Sequence, residues 1–214
     1  VFVVDGQTSF LSASVGIAIC PQDGKTAETL IRNADTAMYR AKSGGRARSV
    51  YFKESMNLEA VERVTLDREL REAIERNELE LHYQPQLDLR SGEITCAEAL
   101  MRWKHPRLGL VLPGRFIPIA EEFGYIEQMG RWLLREACMQ MKTWRTDGTR
   151  VNRVAVNISA IQFRKHDLVD FIKECTRQSG IGPESLDLEI TESVLMDRGS
   201  DVEHMLRDLA AMGV

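Results

Sequence analysis

The sequence predicts an α/β protein with parallel strands, preceded by a shorter α+β segment. From Ile94 onward, strand-like and helix-like stretches alternate, and repeated βα units form parallel sheets, either doubly wound or closed into a barrel. The composition, with 43% hydrophobic and 28% charged residues among 214, is that of a soluble globular protein with room for two domains.

Composition also excludes several classes of protein. The net charge of -4 provides no general attraction for nucleic acid, so we expect no nucleic-acid polymer as a partner. No apolar run approaches the ~20 residues needed to cross a membrane, and the first residues do not resemble a signal peptide. We therefore expect a cytoplasmic chain without a membrane segment, with any membrane attachment upstream. The 4 cysteines and 4 histidines are scattered, which favours reduced thiols over disulfides or a zinc site.

The first 52 residues show the order strand, strand, helix, strand. Asp5-Gly6 separates two extended runs and predicts a tight hairpin. After the turn "CPQDG", apolar residues at helical spacing predict a helix from Thr26 to Lys42, which "SGG" ends. "ARSVYF" is a short strand. This order indicates an α+β layer that is too short to be a complete domain.

A charged amphipathic helix is predicted from Leu58 to Arg76. It fits two interpretations, a solvated linker helix stabilised by ion pairs one turn apart or a signalling helix between two domains. Its apolar residues lie roughly on one side: Val61, Leu66, Leu70, Ala73 and Ile74.

The stretch "ITCAEALMRW" is mostly apolar but places Glu98 and Arg102 four residues apart. In a helix they would form an ordinary ion pair, whereas in a strand both would point to the same face. Extended runs on both sides of "RSGE" indicate a hairpin, and the breaker "HPRLG" leaves only about ten residues, which is short for a helix. We therefore predict a strand in which Glu98, Leu100 and Arg102 share one face.

Helices and strands alternate along the rest of the chain. The segments "RVAVNISA" and "SLDLEITES" are predicted strands, each with one apolar and one polar face. The predicted helices are Phe116 to Phe123, stopped by Gly124, then Ile126 to Trp144, Phe163 to Ser179 and Asp201 to Met212.

Each of the three strands carries an oxygen ligand toward its carboxyl end. These residues are Glu98, Asn157 and Glu189. Active sites of α/β proteins lie at the carboxyl ends of the strands, so the three side chains are expected to converge. Two carboxylates and an amide oxygen suit Mg²⁺ or Mn²⁺, although any one of them alone is more often a rim residue. Arg102 is either a clamp for a phosphate or part of a structural ion pair.

Four segments carry a family resemblance. They are "YQPQLDLRSGEITCAEALMRWKHPRLG", "FIPIAEEFGYI", "VAVNISAIQF" and "LDLEITESVLM", and they resemble the EAL family of cyclic di-GMP phosphodiesterases. "SASVGIAICPQDG" and "ADTAMYRAKSGGRAR" resemble the tail of a GGDEF, or diguanylate cyclase, domain. The implied organisation is a GGDEF part over 1–52, a linker helix over 53–77 and an EAL part over 78–214, the usual order in bacterial two-domain signalling proteins.

The resemblance implies a TIM-like (β/α) barrel with an antiparallel first strand, present here in part. It implies metal-dependent hydrolysis of cyclic di-GMP to the linear dinucleotide pGpG, with a pair of Mg²⁺ or Mn²⁺ ions. The implied roles are metal ligation by Glu98, Asn157 and Glu189, support of the active-site loop by Glu192, and substrate binding by Gln84 and Arg102.

The departures from the family patterns limit these implications. The "GGDEF" signature is absent, so no cyclase activity is assigned, although Lys42 and Arg46 match positions that touch GTP phosphates in that family. A later Asp-Asp motif, Lys, Glu and Gln of the EAL family are also missing. We therefore expect a segment of a longer protein that is inactive alone, and a homodimer through the EAL or linker regions. A degenerate EAL domain that only binds cyclic di-GMP is the alternative, and an intact Asp-Asp and Lys downstream would favour the enzyme.

Overall fold

The computed structural model describes residues 2–4, 7–9, 12–165, 167–195 and 200–214. The chain divides into two compact units, Val1–Leu66 and Asp67–Val214. Among the described residues, no helix has the length and apolar character needed to traverse a lipid bilayer.

The first unit begins with a short hairpin. Strand β1 (Phe2–Val4) pairs antiparallel with β2 (Gln7–Ser9), and Val4 lies opposite Gln7. Extended runs pair on the two sides of Asp5-Gly6, as predicted, and these two turn residues lie outside the described residues. The second predicted run was wrong in extent, because it divides into β2 and a separate strand at Val15–Ile17.

The remainder of the first unit is a parallel strand pair joined by a helix. Strand β3 (Val15–Ile17) pairs with β4 (Ser49–Tyr51), and α1 (Ala27–Ser43) connects them. The hydroxyl of Thr26 caps α1 by accepting a 3.2 Å hydrogen bond from the amide of Thr29. The helix predicted from Thr26 to Lys42 is confirmed to within one residue.

Helix α2 (Ser55–Ala73) corresponds to the predicted linker helix, and the division between the two units falls within it. Leu66, Leu70 and Ala73 are buried, as their spacing predicts. Val61 is 68% exposed, so its assignment to the buried side was wrong. Burial along α2 is therefore concentrated in its second half, although Met56 near its start is buried as well.

The second unit opens with the hairpin that the sequence predicted. Strand β5 (Leu79–Leu87) pairs antiparallel with β6 (Ile94–His105). The Asp88 carboxylate fixes the turn by accepting 2.8 Å hydrogen bonds from the amides of Arg90 and Ser91. The stretch that contains Glu98 and Arg102 is therefore a strand, as the neighbouring turn signals indicated.

A short strand and two helices follow the hairpin. The predicted breaker "HPRLG" is the turn before strand β7 (Gly109–Val111), which folds back onto β6 and was not predicted. Helices α3 (Pro113–Phe123) and α4 (Ile126–Thr146) come next. Gly124 ends α3 in the left-handed conformation, with φ 82°, as predicted.

The central sheet is parallel apart from its first strand and β7. Strands β8 (Arg153–Ile158) and β9 (Leu186–Ile190) extend it in the order β5-β6-β8-β9. β6, β8 and β9 are parallel, while β5 is antiparallel to β6. This confirms the alternating βα pattern and the antiparallel first strand that the family resemblance implied.

The predicted helix from Phe163 to Ser179 was wrong at its start. The segment forms two helices, α5 (Ala160–Phe163) and α6 (Leu168–Ser179). Ser159 explains the difference, because it forms a reciprocal capping box with Gln162 and so starts a separate short helix directly after β8. The chain continues with α7 (Glu192–Leu195) and α8 (Ser200–Met212).

Alternate residues of the central strands face the helices. On β8 these are Val154, Val156 and Ile158, each no more than 2% exposed. The same face of β6 buries Ala97, Ala99, Met101 and Trp103, and α4 packs against the sheet through Met129, Ala137 and Met141 among others. The apolar core thus lies on the helix side, and the other face of the sheet is left for polar side chains.

Candidate functional site

The polar face of the sheet carries the predicted site residues, and we call it the inner face. Glu98 on β6 lies opposite Gln84 on β5 and opposite Ala155 on β8. Asn157 on β8 lies opposite Glu189 on β9. Because side chains alternate along a strand, all four polar residues project to the same side of the sheet.

Glu98, Asn157 and Glu189 form a cluster, which we call the oxygen cluster. Asn157 Nδ2 donates a 2.7 Å hydrogen bond to Glu98 Oε1. Glu189 is the register partner of Asn157 on the next strand. The structure therefore brings these residues together from three successive parallel strands.

A contact across the sheet shows its curvature. Gln86 Nε2 on β5 donates to Glu189 Oε1 on β9 at 3.4 Å, although β6 and β8 lie between these strands. Three strand spacings of ~4.8 Å would separate the two strands in a flat sheet. The inner face is therefore concave, as expected for the wall of a barrel.

An ion pair lies next to the oxygen cluster on the same face. Arg153 on β8 pairs with Asp187 on β9, and Cys96 Sγ lies 3.8 Å from Asp187 Oδ2. Each of these residues lies two or four positions before a member of the cluster on its own strand. Burial, together with the nearby Asp187 charge, raises the pKa of the Cys96 thiol.

The predicted substrate-binding residues lie beside the cluster. Gln84 is exposed and faces Glu98 across the β5–β6 hairpin. Arg102 is half-buried, and its Nη1 donates a 2.9 Å hydrogen bond to the carbonyl oxygen of Met101. Among the residues that the structure describes, Arg102 has no carboxylate within ion-pair distance, which does not favour the interpretation as a structural ion pair.

Glu192 follows the cluster along the chain. It is the first residue of α7 and is exposed. The structure gives it no contact with Glu98, Asn157 or Glu189. Residues 196–199, which follow α7, lie outside the described residues, so the expected support of a loop by Glu192 stays a prediction.

Sequence reasoning missed the contact of Gln86 with the cluster. The available signal was alternation, since Gln86 lies two residues after Gln84 and so has the same orientation on β5. It also missed the Arg153–Asp187 pair, which alternation along β8 and β9 places on the inner face.

The ligand chemistry of the oxygen cluster fits a hard divalent cation. Glu98 and Glu189 are half-buried carboxylates, and the Asn157 amide adds an oxygen. Within the described part of the chain, no three His, Cys, Asp or Glu side chains are grouped closely enough to hold a metal by themselves. A cation here would use the Asn157 oxygen, water or a substrate phosphate as well, which is how Mg²⁺ is commonly held.

Family models match most of the chain. The EAL domain model matches residues 67–214, and the model of the diguanylate cyclase, GGDEF domain, matches residues 1–48. Residues 55–66 of helix α2 therefore lie outside both matches.

Curated relatives show the same combination. The chain is 45% identical over 204 residues to the bifunctional diguanylate cyclase/cyclic di-GMP phosphodiesterase MucR of Pseudomonas aeruginosa, covering 95% of this chain and 30% of that protein. It is 39% identical to the cyclic di-GMP phosphodiesterase PdeR of Escherichia coli, covering 95% of this chain and 31% of that protein. The chain thus spans about three tenths of the length of these relatives.

Solved structures share the fold. The PaMucR phosphodiesterase in complex with c-di-GMP matches with a TM-score of 0.67 and 43% identity, covering 70% of this chain and 61% of that chain. The Xanthomonas citri FimX EAL domain in complex with c-diGMP matches with a TM-score of 0.63 and 26% identity, covering 73% and 60%. Because the family model matches residues 67–214, this chain belongs to the EAL domain family.

Proposed function

We propose that the inner face is part of the catalytic site of a cyclic di-GMP phosphodiesterase that hydrolyses its substrate to pGpG. The 2.7 Å contact between Glu98 and Asn157, beside Glu189, carries this proposal. It gathers the oxygen ligands that such a reaction needs at the carboxyl end of parallel strands. The relatives MucR and PdeR, which are named as phosphodiesterases, support the choice of substrate.

In the proposed mechanism, Glu98, Asn157 and Glu189 would hold Mg²⁺ or Mn²⁺ through oxygen atoms. When bound, a pair of such ions would supply an activated water and withdraw negative charge from the phosphate. The Asn157 amide nitrogen donates to the Glu98 carboxylate and so holds these two side chains next to each other on the inner face.

Gln84 and Arg102 are the proposed substrate-binding residues. Arg102 presents a planar guanidinium that suits two phosphate oxygens at once, and Gln84 offers an amide opposite Glu98. Glu192, which begins the helix that follows β9, is proposed to support the active-site loop.

The reaction breaks one phosphodiester bond. A water oxygen forms a bond to phosphorus, the bond from phosphorus to the ribose 3′ oxygen breaks, and the leaving oxygen takes up a proton. Charge accumulates on the phosphate oxygens in the transition state. We propose that Arg102 stabilises that charge, and that the carboxylates of the cluster would hold the cations that do the same.

The first unit is proposed to belong to a GGDEF domain without an assigned activity. Its helix α1 and strands β3 and β4 lie within the matched residues 1–48 or adjoin them. The predicted boundaries of the linker helix, after residue 52 and after residue 77, stay predictions. The linker helix is proposed to connect the two parts.

A homodimer through the EAL or linker regions remains our proposal for the assembly. Three apolar side chains on the first half of α2 support it, namely Leu58, Val61 and Val64, which are 72%, 68% and 71% exposed. Exposed apolar side chains on one side of a helix favour association with another surface. Light scattering of the full-length protein would test it, and a monomer at micromolar concentration would contradict it.

Activity of the full-length protein that carries this chain tests the proposed function. Glu98→Gln keeps the shape of the side chain but removes the charge that binds the cation, so hydrolysis in Mg²⁺ or Mn²⁺ should fall at least ~10²-fold. Glu93→Gln is the matched control, because Glu93 lies in the hairpin turn and its exposed carboxylate pairs with the exposed Arg150.

Binding and hydrolysis of cyclic di-GMP, measured separately, distinguish an enzyme from a receptor. Calorimetric titration with cyclic di-GMP in Ca²⁺ measures affinity without turnover. A protein that binds the dinucleotide but shows no hydrolysis in Mg²⁺ or Mn²⁺ would be a receptor, as the alternative hypothesis states. Near-wild-type hydrolysis by Glu98→Gln would contradict the proposed ligand role.

A further inference from the structure

The Arg153–Asp187 ion pair lies directly beside the oxygen cluster and belongs to no role proposed above. Arg153 precedes Asn157 on β8 by four residues, and Asp187 precedes Glu189 on β9 by two, so both side chains share the inner face. Their side chains are 49% and 31% exposed, respectively. The pair therefore occupies the concave face of the sheet beside the cluster.

The charge of Asp187 acts on any cation held by the cluster. Two residues along a strand correspond to ~6.6 Å, a distance shorter than the screening length of ~10 Å at 0.1 M salt. An unpaired carboxylate at this distance would strengthen the binding of a divalent cation and add to the repulsion between Glu98 and Glu189. An unpaired Arg153 guanidinium would instead weaken cation binding, because it repels the cation.

Each partner thus cancels the field of the other. Arg153 contacts the carboxylate of Asp187 directly, and Cys96 adds a weak contact to the second oxygen. The cluster consequently experiences nearly no net charge from this neighbouring layer, and its own two carboxylates determine the attraction for a cation.

We propose that Arg153 and Asp187 form a charge-balancing pair, in which each residue prevents the charge of the other from shifting the cation affinity of the oxygen cluster. The proposal rests on the proposed function, because it concerns the same cluster. Both residues act through the cluster and are positioning residues, since neither needs to touch the cation or the substrate.

Cation binding without substrate provides the test. The full-length protein is titrated with Mn²⁺ alone by calorimetry at low salt. Arg153→Gln should raise the Mn²⁺ affinity about three- to sevenfold, and Asp187→Asn should lower it by a similar factor. The double variant should return to within about twofold of the wild type, because both charges are then absent.

A charge effect shifts the Mn²⁺ affinity in opposite directions in Arg153→Gln and Asp187→Asn. A merely structural ion pair would give lower affinity, or no change, in both single variants, and either result would overturn the proposal. Arg177→Gln is the matched control, since Arg177 forms an exposed pair with Glu174 on α6 and its loss should leave Mn²⁺ affinity unchanged. A shift of the same size in this control would also overturn the proposal.

Two further measurements keep the test decisive. Arg153→Lys retains the charge and should keep the wild-type Mn²⁺ affinity. This variant tests the proposal even if Arg153→Gln fails to fold. A loss of Mn²⁺ affinity in Arg153→Lys as large as that in Asp187→Asn would show that the geometry of the pair matters instead of its charge. A wild-type protein that binds no Mn²⁺ would overturn the proposed function together with this inference. Wild-type binding without the opposite shifts would overturn the inference alone.

Discussion

Nε2 of the buried His105 lies 2.6 Å from Oε2 of Glu69, and this contact fastens helix α2 to the end of strand β6. His105 Nδ1 accepts hydrogen bonds from the amides of Arg107 and Leu108 at 3.1 and 3.3 Å. Nδ1 is therefore the acceptor of the ring, and Nε2 donates its proton to Glu69. Arg107 Nη2 adds a second contact to the same carboxylate at 2.7 Å.

Glu69→Gln is expected to reduce the free energy of unfolding by about 1–3 kcal/mol at pH 7, since hydrogen bonds to a mostly buried charged group are lost. Burial raises the pKa of the Glu69 carboxyl, but hydrogen bonds from His105 and Arg107 lower it more, so the net pKa lies below its ordinary value of 4.5. The stabilisation is therefore complete above pH 4.5 and is lost as the pH falls through the lowered pKa. Urea unfolding of variant and wild type between pH 3 and 7 would show the difference shrinking in acid.

Glu72→Gln is the control on the same helix. Glu72 forms an exposed pair with Arg76 one turn away. Its removal should change the unfolding free energy by less than about 0.5 kcal/mol. Equal losses in the two variants would mean that the contact with His105 contributes nothing special.

Arg102→Ala is expected to weaken binding of cyclic di-GMP about tenfold or more, because a charge-assisted contact to a phosphate is removed. Arg102 is half-buried, and its guanidinium donates a hydrogen bond to the adjacent Met101 carbonyl oxygen, so we expect little stability to depend on it. Titration in Ca²⁺ measures the effect. Arg150→Ala removes an exposed arginine that pairs with Glu93 and should leave affinity unchanged. Equal affinity in both variants would assign Arg102 a structural role.

Gly130→Ala tests the support behind Asn157. A Cβ at position 130 would lie 1.6 Å from Gln162 Nε2, and Gln162 completes the capping box that follows β8. We expect a loss of about 1–2 kcal/mol in unfolding free energy, because the buried Gln162 must move and its cap contact is lost. Gly114→Ala meets no atom within 4 Å and should be nearly neutral. A thermally unchanged Gly130→Ala would show that Gln162 can relocate freely.

The cysteines should differ sharply in reactivity. Burial, with a smaller effect from the nearby Cys175 thiol, raises the pKa of Cys138 to about 12, whereas Cys20 is exposed. Because the thiolate is the nucleophile, iodoacetamide at pH 8 should modify Cys20 at least about 100 times faster than Cys138. Mass spectrometry of the native protein would measure this, and comparable rates would mean that the region around α4 opens readily.

The sequence was sufficient for those site residues whose orientation follows from alternation within one strand. Glu98, Asn157 and Glu189 were placed on a common face in this way, and the face is as expected. Contacts between strands that are not neighbours depend on the curvature of the sheet, which no local pattern encodes. This is why the contact of Gln86 with Glu189 could not be predicted.

Short-range contacts explain where the fold differs from the one that the sequence predicted. Ser159 and Gln162 form a cap whose strength depends on their reciprocal hydrogen bonds, so a helix starts at Ala160 and a second one at Leu168. Strand β7 has only three residues and is held by pairing with β6, which short apolar patterns do not reveal. The roles of Gln84 and Arg102 depend on a ligand, and no described contact tests the role of Glu192, so all three stay predictions.

The β5–β6 hairpin has a kinetic consequence for the order of folding. Gln84 and Glu98 meet through a short turn, whereas Cys96 pairs with Arg153 only after a long stretch of chain has been traversed. Closing a long loop costs more entropy and takes longer than closing a hairpin. Half of the inner face therefore forms early and without Asn157. Cation binding, measured as a function of refolding time, would therefore show when the parallel strands join that hairpin.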